Sequence, residues 1–301
     1  MASDDRTWPS LTSKVSADTC ASLHMWTQMV GKVRLALSPF VNHWWGVALY
    51  PTARGLTTSP IPYDDGAFEI AFDFIGHELM IDTSDGRRKT IALAPRTVAD
   101  FFQLFMRALD DLRIHVRIWP MPVEVPAPIR FTEDRVHGAY DTGAANDWWQ
   151  AILHITSVLQ EFRAGFIGKC SPVHFWWGGF DLAVTRFSGR RAPERPAADR
   201  ITREGYSHEV ISAGFWLGSG AITEPAFYAY AAPEPAGFKT ARVTPAAAFY
   251  SPDFFILKYE DVRQAASPRD ALLEFLQSTY DAGATLANWN RAELERAGAP
   301  A

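Results

Sequence analysis

Two stretches of the chain decide the prediction of its fold: QMVGKVRLALSPFVNHWWG at residues 28–46 and QEFRAGFIGKCSPVHFWWG at residues 160–178. They align without a gap, so that Gln28 stands opposite Gln160 and each stretch ends in Trp-Trp-Gly. Similarity between two segments at a constant offset is the mark of a repeated structural unit. We therefore predict an internal duplication with a longer second copy.

Apolar spacing predicts the elements of each copy. Apolar residues recur every three or four positions over 23–37 and over 148–166, which predicts an amphipathic helix at the start of each copy. Apolar and polar residues alternate over 68–74, and further strands are predicted over 78–83 and 89–93 around an Asp-Gly turn.

A closing helix is predicted from Val98, and a short edge strand over 113–118. The fold class that follows is α+β. It comprises two pseudo-symmetric repeats, each made of a helix, about four antiparallel strands and a second helix.

The boundary between the copies is predicted from proline. The segment IWPMPVEVPAPIRF at 118–131 carries four prolines, which exclude a helix and favour an extended connector. We therefore expect a first repeat over 17–119, a proline-rich connector over 120–144 and a second repeat with inserts over 145–290, packed as one unit.

Composition excludes several classes of protein. Of 301 residues, 48% are hydrophobic and 21% charged, as in globular proteins, and the net charge of −5 with scattered Lys and Arg argues against nucleic acid as a partner. No apolar run reaches the roughly 18 residues that span a bilayer, and the first ten residues are acidic where a secretory signal is basic. We expect a cytoplasmic protein without a membrane partner. The oligomeric state is left open.

The two copies differ chemically where the second gains imidazoles. Asn42 corresponds to His174 and Phe68 to His208, while Glu69 corresponds to the carboxylate Glu209. An imidazole beside a carboxylate is a minimal general acid/base pair. If their strands are neighbours, we expect His174, His208 and Glu209 to approach one another, and all three are candidate catalytic residues. The alternative is that His174 is a buried structural histidine.

Cys170 lies four residues before His174 and is a possible nucleophile with that histidine as its base. An ordinary buried thiol is the alternative. Cys20 and Cys170 are the only cysteines, so no disulfide framework is expected.

Aromatic and basic residues supply candidate ligand contacts. Trp44 and Trp176, from the two Trp-Trp-Gly sequences, are candidates for an aromatic pocket wall, although tryptophans also fill cores. Arg186 is a candidate for binding a carboxylate or phosphate at a pocket mouth, or else a solvated turn residue. Tyr228 and Tyr230 project from one strand face, either as ligand contacts or as packing. No phosphate-binding glycine loop and no zinc motif occurs, so neither a cofactor nor a metal is predicted.

Several long strings in the sequence are distinctive: LSPFVNHWWGVALYPTARGLTTSPIPY, FEIAFDFIGHELMI, WPMPVEVPAPIRF, FIGKCSPVHFWWGGFDLAVTRFSGRRAP, YSHEVISAGFW and FYAYAAPEP. Together they resemble one bacterial family, the domain of unknown function DUF5996, from about residue 20 to 290. The resemblance implies membership and a single full-length unit. It implies no reaction, cofactor or catalytic residue.

Three functions follow as hypotheses. The first is a protein that binds a small apolar or aromatic molecule in a Trp-lined pocket, with cofactor-independent acid/base chemistry at His174 and Glu209. The second is a non-catalytic interaction module with an aromatic surface. The third is a hydrolase or transferase that depends on Cys170.

Overall fold

The first half of the chain forms a helix, a sheet and a second helix in this computed structural model, which describes residues 8–218 and 220–296. Residues 1–7, which carry most of the acidic start of the chain, lie outside the described residues. Helix α1 (Lys14–Leu37) begins at Ser13, whose side chain accepts a hydrogen bond from the Ser16 backbone N–H. A short 3-10 helix (Asn42–Val47) follows it.

Six strands then form an antiparallel sheet, which we call sheet A. They are listed in chain order: β1 (Tyr50–Pro51), β2 (Gly55–Thr57), β3 (Ile61–Tyr63), β4 (Gly66–Asp73), β5 (Glu78–Thr83) and β6 (Arg88–Ala92). Their order in the sheet is β1-β2-β4-β5-β6, with β3 also paired to β4. Helix α2 (Val98–Asp111) closes this half, capped by Thr97.

The second half begins with helix α3 (Thr142–Ala164), after residues 112–141, which contain neither helix nor strand. The remaining elements are β7 (His174–Trp176), β8 (Asp181–Arg191), α4 (Arg200–Gly205), β9 (His208–Trp216), β10 (Ala226–Ala232), β11 (Phe249–Ser251), β12 (Phe254–Lys258), α5 (Tyr259–Arg263), α6 (Pro268–Leu286) and α7 (Arg291–Leu294), with a second 3-10 helix (Phe238–Thr240) between β10 and β11. The strands form sheet B in the order β11-β12-β10-β9-β8-β7.

The two halves share one hydrophobic core. Helices α1 and α3 pack against each other, α2 packs on sheet A, and α6 packs on sheet B. Trp26 of α1 stacks on Phe101 of α2 with ring centroids 4.4 Å apart, and Trp148 of α3 stacks on Phe180 at 4.9 Å. The sheets meet where Leu49 and Phe175 exchange two backbone hydrogen bonds of 2.9 Å.

The α+β class and the main elements predicted from spacing are confirmed. Strands β4, β5 and β6 match the predictions over 68–74, 78–83 and 89–93 to within two residues. Each sheet has six strands rather than about four, because very short strands such as β1 and β3 carry no detectable alternation.

The strand predicted over 113–118 is wrong. This segment is irregular, and its backbone is held by the Tyr63 hydroxyl, which donates to the Arg113 carbonyl and accepts from the His115 N–H, each at 2.8 Å.

The two Trp-Trp-Gly sequences differ in conformation. The first lies in the 3-10 helix, with Trp44 at φ 63°, whereas the second begins at the end of strand β7. The duplication and the domain boundaries stay predictions.

Candidate functional site

A cavity of about 730 Å³ lies between the start of α1 and the strands of sheet B. One wall is the N-terminal half of α1, from Ser13 to His24. The connector at 124–126 and the turn at 179–181 line a second side, and residues 223–225 lie before β10 at the far side. Both halves of the chain therefore contribute to this cavity.

The wall formed by sheet B is aromatic. Four of its rings lie on sheet B, namely Trp216, Tyr228, Tyr230 and Phe254, and Tyr206 at the end of α4 adds a fifth. Tyr228 and Tyr230 lie two residues apart on β10, so both project to the same face. Trp216 of the neighbouring strand stacks on Tyr228 with centroids 4.7 Å apart, and its buried indole N–H has no hydrogen-bond partner among the described residues. This wall presents flat apolar surface together with one free donor.

Gly214 creates the space that the Tyr228 ring occupies. It is the register partner of Tyr228 in the neighbouring strand β9. A β-carbon at this position would lie 2.5 Å from the Tyr228 hydroxyl oxygen and would also collide with the carbonyl oxygen of Leu182. The absence of a side chain at Gly214 lets Tyr228 lie flat over the strand and reach Asp181 at the start of β8.

Asp181 is the most perturbed acid of the cavity. Its Oδ2 accepts a hydrogen bond of 2.6 Å from the Tyr228 hydroxyl. Burial raises the pKa of the Asp181 carboxyl to about 7, the carboxylate of Glu124 contributes to the rise, and the Tyr228 hydrogen bond opposes it. A carboxyl group with this pKa exchanges a proton near neutral pH, as a general acid or base must.

Glu124 places a second carboxyl group beside Asp181. A β-carbon on Gly179 would lie 2.8 Å from Asp181 Oδ1 and 3.3 Å from Glu124 Oε2, so both carboxyl groups converge on this glycine. Burial of the carboxyl raises the pKa of Glu124 as well. Glu124 adopts φ 56°, a left-handed conformation that non-glycine residues rarely take and that is often found at functional sites.

Helix α1 holds the connector that carries Glu124. Gln28 accepts a hydrogen bond of 2.9 Å from the Val123 N–H and donates one of 2.8 Å to the Val123 carbonyl. One turn earlier, His24 Nε2 lies 2.8 Å from the Gly178 carbonyl oxygen. Burial lowers the pKa of His24 to about 4, so this imidazole is neutral at pH 7.

Of the residues predicted from the sequence, Tyr228 and Tyr230 line this cavity. The Tyr230 hydroxyl lies 2.9 Å from that of Tyr206, and the Tyr228 hydroxyl is engaged with Asp181. Their prediction as residues of one face is confirmed by the register of β10. Contact with a ligand stays a prediction.

His174 lies in the core instead of in the cavity. Its side chain is 1% exposed and is enclosed by the rings of Trp45, Tyr50 and Trp176, at centroid distances of 5.6, 5.6 and 4.9 Å. Burial lowers the pKa of His174 to about 3, so this imidazole does not titrate near neutral pH. The alternative of a structural histidine fits these surroundings.

The predicted approach of His174 to His208 and Glu209 is wrong. His174 is in register with Ala183 of β8, which pairs with Gly214, whereas His208 and Glu209 lie at the opposite end of β9. Glu209 instead accepts hydrogen bonds of 2.8 Å from Ser188 and Arg190. The error arose because strand register across a sheet is not encoded in local periodicity.

The predicted pair of Trp44 and Trp176 does not form one pocket wall. Trp44 packs edge-on against Phe40 at 4.9 Å and lies beside α4, where its indole donates to the Ile201 carbonyl at 3.3 Å. Trp176 packs on His174. Neither lines the cavity.

Arg186 and Cys170 also lie away from the cavity. Arg186 is 2% exposed, with its guanidinium carbon 3.5 Å from the centroid of the Phe162 ring, so its prediction at a pocket mouth is wrong. Cys170 is a free thiol whose pKa is raised by burial, which disfavours the nucleophilic thiolate.

Within residues 8–218 and 220–296, no three side chains of His, Cys, Asp or Glu are grouped so as to hold a metal ion. None of the helices described is both long and apolar enough to cross a bilayer.

Sequence reasoning missed Asp181, Glu124 and His24. A signal was present for two of them. Asp181 ends the sequence Gly-Gly-Phe-Asp directly after the aromatic cluster, and Glu124 is the only acidic residue in the proline-rich segment 118–131. Their proximity is a tertiary contact that no local pattern contains.

Fold and cavity define an α+β protein in which two six-stranded sheets share a core and a cavity lies beside the second sheet. The chain belongs to the family described as "Family of unknown function (DUF5996)", which matches residues 8–296. No curated protein and no solved structure matches it.

Proposed function

We propose that this protein binds a small molecule in the cavity beside sheet B and transfers a proton to or from it through Asp181. The observation that carries the proposal is the Asp181 carboxyl group, which lines a cavity of about 730 Å³ and accepts a hydrogen bond from Tyr228. The proposal keeps the acid/base function expected from the sequence and moves it from His174 and Glu209 to other residues.

The size of the cavity and its walls support an apolar or aromatic ligand. Pockets for small molecules commonly measure about 300–1,000 Å³ and combine apolar walls with a few converging polar groups. The four rings on sheet B, together with Tyr206, supply the apolar wall, and the polar groups that converge are Asp181, Glu124 and the Trp216 indole.

Chemistry at Asp181 needs no cofactor. With a pKa of about 7 the carboxyl group is divided between its acid and base forms at neutral pH. Burial disfavours the ionised form most, Tyr228 stabilises it and Glu124 disfavours it further, so burial and these two neighbours together hold Asp181 near this balance. The location in the bacterial cytoplasm is part of the same proposal, and the two free thiols of Cys20 and Cys170 are compatible with it.

The test screens the purified protein against a metabolite panel by thermal shift and by intrinsic tryptophan emission, to which Trp216 in the cavity wall contributes. Each ligand found is then incubated with the protein, and its conversion or solvent deuterium uptake is followed by NMR. At ligand concentrations that saturate each protein, we expect Asp181→Asn to lose conversion or exchange by at least about 100-fold. Glu209→Gln, a carboxylate on β9 outside the cavity, is the matched control and should leave both unchanged.

If Asp181→Asn converts the ligand as fast as the native protein does, the catalytic role of Asp181 is disproved. If a ligand found in the panel binds equally well to a variant with a filled cavity, such as Ala21→Trp, the cavity is not its binding site.

A further inference from the structure

The cavity has an excess of negative charge. Its described lining contains three carboxyl groups, from Glu124, Asp181 and Glu224, and neither lysine nor arginine. His24, the histidine of the lining, is neutral at pH 7 because burial lowers its pKa to about 4. No cation of the lining therefore compensates the carboxyl groups.

Two of the three carboxyl groups lack an ionic partner in the part of the chain that the structure describes. Glu224 forms an ion pair of 2.9 Å with Lys258. Among the described residues, no lysine or arginine lies within ion-pair distance of Asp181 or Glu124. The Tyr228 hydroxyl supplies one hydrogen bond to Asp181, and Gly178 and Gly179 let both carboxyl groups approach each other without a side chain between them. Buried charges are normally paired, so these two acids would be stabilised by a cation bound between them.

The aromatic wall favours a ligand of the same charge. The faces of Trp and Tyr rings attract cations within about 6 Å, and the attraction grows as water is excluded. Trp216 and Tyr228 are stacked with an angle of 24° between their planes, next to the Asp181 carboxyl that Tyr228 contacts. Carboxyl groups beside such rings form a site with two independent sources of cation affinity.

We propose that the ligand of this cavity is an organic cation, a protonated amine or amidinium on an aromatic or apolar body, with its charged nitrogen between Asp181 and Glu124. This inference rests on the proposed function, because it assumes that the cavity is the binding site. The body of the ligand packs against the rings of sheet B. Binding ionises Asp181 and releases its proton to solvent.

The affinity of the cation therefore depends on pH. Tyr228 and Glu124 act directly on Asp181. The other titratable groups of the described lining are Cys20, His24, Tyr206, Glu224 and Tyr230. Burial raises the pKa values of Tyr228 and Tyr230 far above neutrality and lowers that of His24, so Asp181, with its pKa of about 7, is the group expected to set the dependence near neutral pH. Burial also raises the pKa of Glu124. Affinity should rise with pH through about 7 and then level off.

Three probes of one shape test the charge preference: naphthalene carboxamidinium, the neutral carboxamide and the anionic carboxylate. Binding to the intact chain is measured by ligand-observed NMR and by calorimetry in two buffers that differ in ionisation enthalpy. We expect the amidinium to bind at least about tenfold more tightly than the carboxamide at pH 8, with proton release near pH 6, and the carboxylate to bind weakest.

Variants assign the effect to the two acids. Asp181→Asn retains an acceptor for the Tyr228 hydroxyl, and Glu124→Gln retains the side-chain shape. Each should lower amidinium affinity about tenfold or more and leave carboxamide affinity within about twofold. Glu224→Gln removes the paired carboxylate of the same cavity and is the matched control, with an expected loss below about threefold.

The outcomes separate this inference from the proposed function. Tighter binding of the carboxamide or carboxylate overturns the cation preference and leaves the cavity as a binding site. Amidinium binding that is unchanged in both acid variants also overturns it. Absence of binding by all three probes overturns the inference and counts against the cavity itself.

Discussion

His174 and Asp181 lie seven residues apart, one on β7 and the other at the start of β8, and burial acts on them with opposite consequences. Removal from water disfavours the charged form of each group. It lowers the pKa of the His174 imidazole to about 3 and raises that of the Asp181 carboxyl to about 7. Burial thereby moves the pKa of the His174 imidazole away from neutral pH and brings the pKa of the Asp181 carboxyl group to neutral pH.

The surroundings of the two side chains explain which one has room to react. Three aromatic rings enclose His174, and its Nε2 has no hydrogen-bond partner among the described residues. Asp181 faces a cavity and has the Tyr228 hydroxyl as a fixed neighbour. A perturbed pKa therefore indicates a site only when space for a reactant lies beside the group.

The largest effect is expected at Gly214, which sets the position of Tyr228 beside Asp181. In Gly214→Ala the new methyl group meets the Leu182 carbonyl oxygen and the Tyr228 hydroxyl, so strands β8 and β9 must separate or the ring must move. We expect a loss of about 3 kcal/mol or more in the free energy of unfolding, measured by urea denaturation.

Gly205→Ala is the matched control for Gly214. Nothing lies within 4 Å of a β-carbon at Gly205 at the end of α4, so its stability should change by less than about 0.5 kcal/mol or improve slightly. Equal effects of the two substitutions would show that Gly214 does not shape the cavity.

His174→Ala tests whether His174 is a structural residue of the core. Loss of a ring packed among Trp45, Tyr50 and Trp176 should cost about 2–3 kcal/mol at pH 7. Because the folded-state pKa of His174 is about 3, below its ordinary 6.5, native stability falls as pH drops from 6.5 toward 3. The difference in unfolding free energy between the native protein and the variant should therefore be smaller at pH 4 than at pH 7, as measured by urea denaturation.

Binding in the cavity separates this result from a functional role. The His174→Ala protein should bind a cavity ligand with unchanged affinity wherever it remains folded. A loss of ligand affinity without a loss of stability would show that His174 contributes to ligand binding.

The sequence predicted elements whose patterns are local and missed contacts that are not. Strand β4 alternates clearly because one face lies in the core, and Tyr228 and Tyr230 were placed on one face by the two-residue period of β10. Asp181 and Glu124 are 57 positions apart in the chain, at the start of β8 and on the connector, and contacts of α1 such as the hydrogen bonds between Gln28 and Val123 help to hold them together. Periodicity carries no information about such a contact.

Asp181→Asn tests a dependence of stability on pH that is opposite in sign to that of His174. The folded-state pKa of about 7 exceeds the ordinary 3.8, so the native protein loses stability as pH rises from about 4 to 7. The shift corresponds to at most about 4 kcal/mol, and water in the cavity reduces it, so we expect about 2 kcal/mol. Between pH 4 and pH 8, the free energy of unfolding of the variant should therefore rise by about 2 kcal/mol relative to that of the native protein, as measured by urea denaturation. A difference in unfolding free energy between the two proteins that does not depend on pH would contradict a raised pKa at Asp181.

The smallest effect concerns the hydrogen bond between Tyr228 and Asp181. The hydroxyl donates to Oδ2 and so favours the ionised carboxyl group. Tyr228→Phe should raise the pKa of Asp181 further above 7, by about one unit or about 1.4 kcal/mol, as measured by carboxyl ¹³C NMR titration. In Tyr230→Phe the lost hydroxyl is the one that pairs with Tyr206, so the Asp181 titration should shift much less. A lower pKa of Asp181 in Tyr228→Phe would mean that the tyrosine stabilises the protonated carboxyl group. Another neighbour would then have to stabilise the ionised form of Asp181.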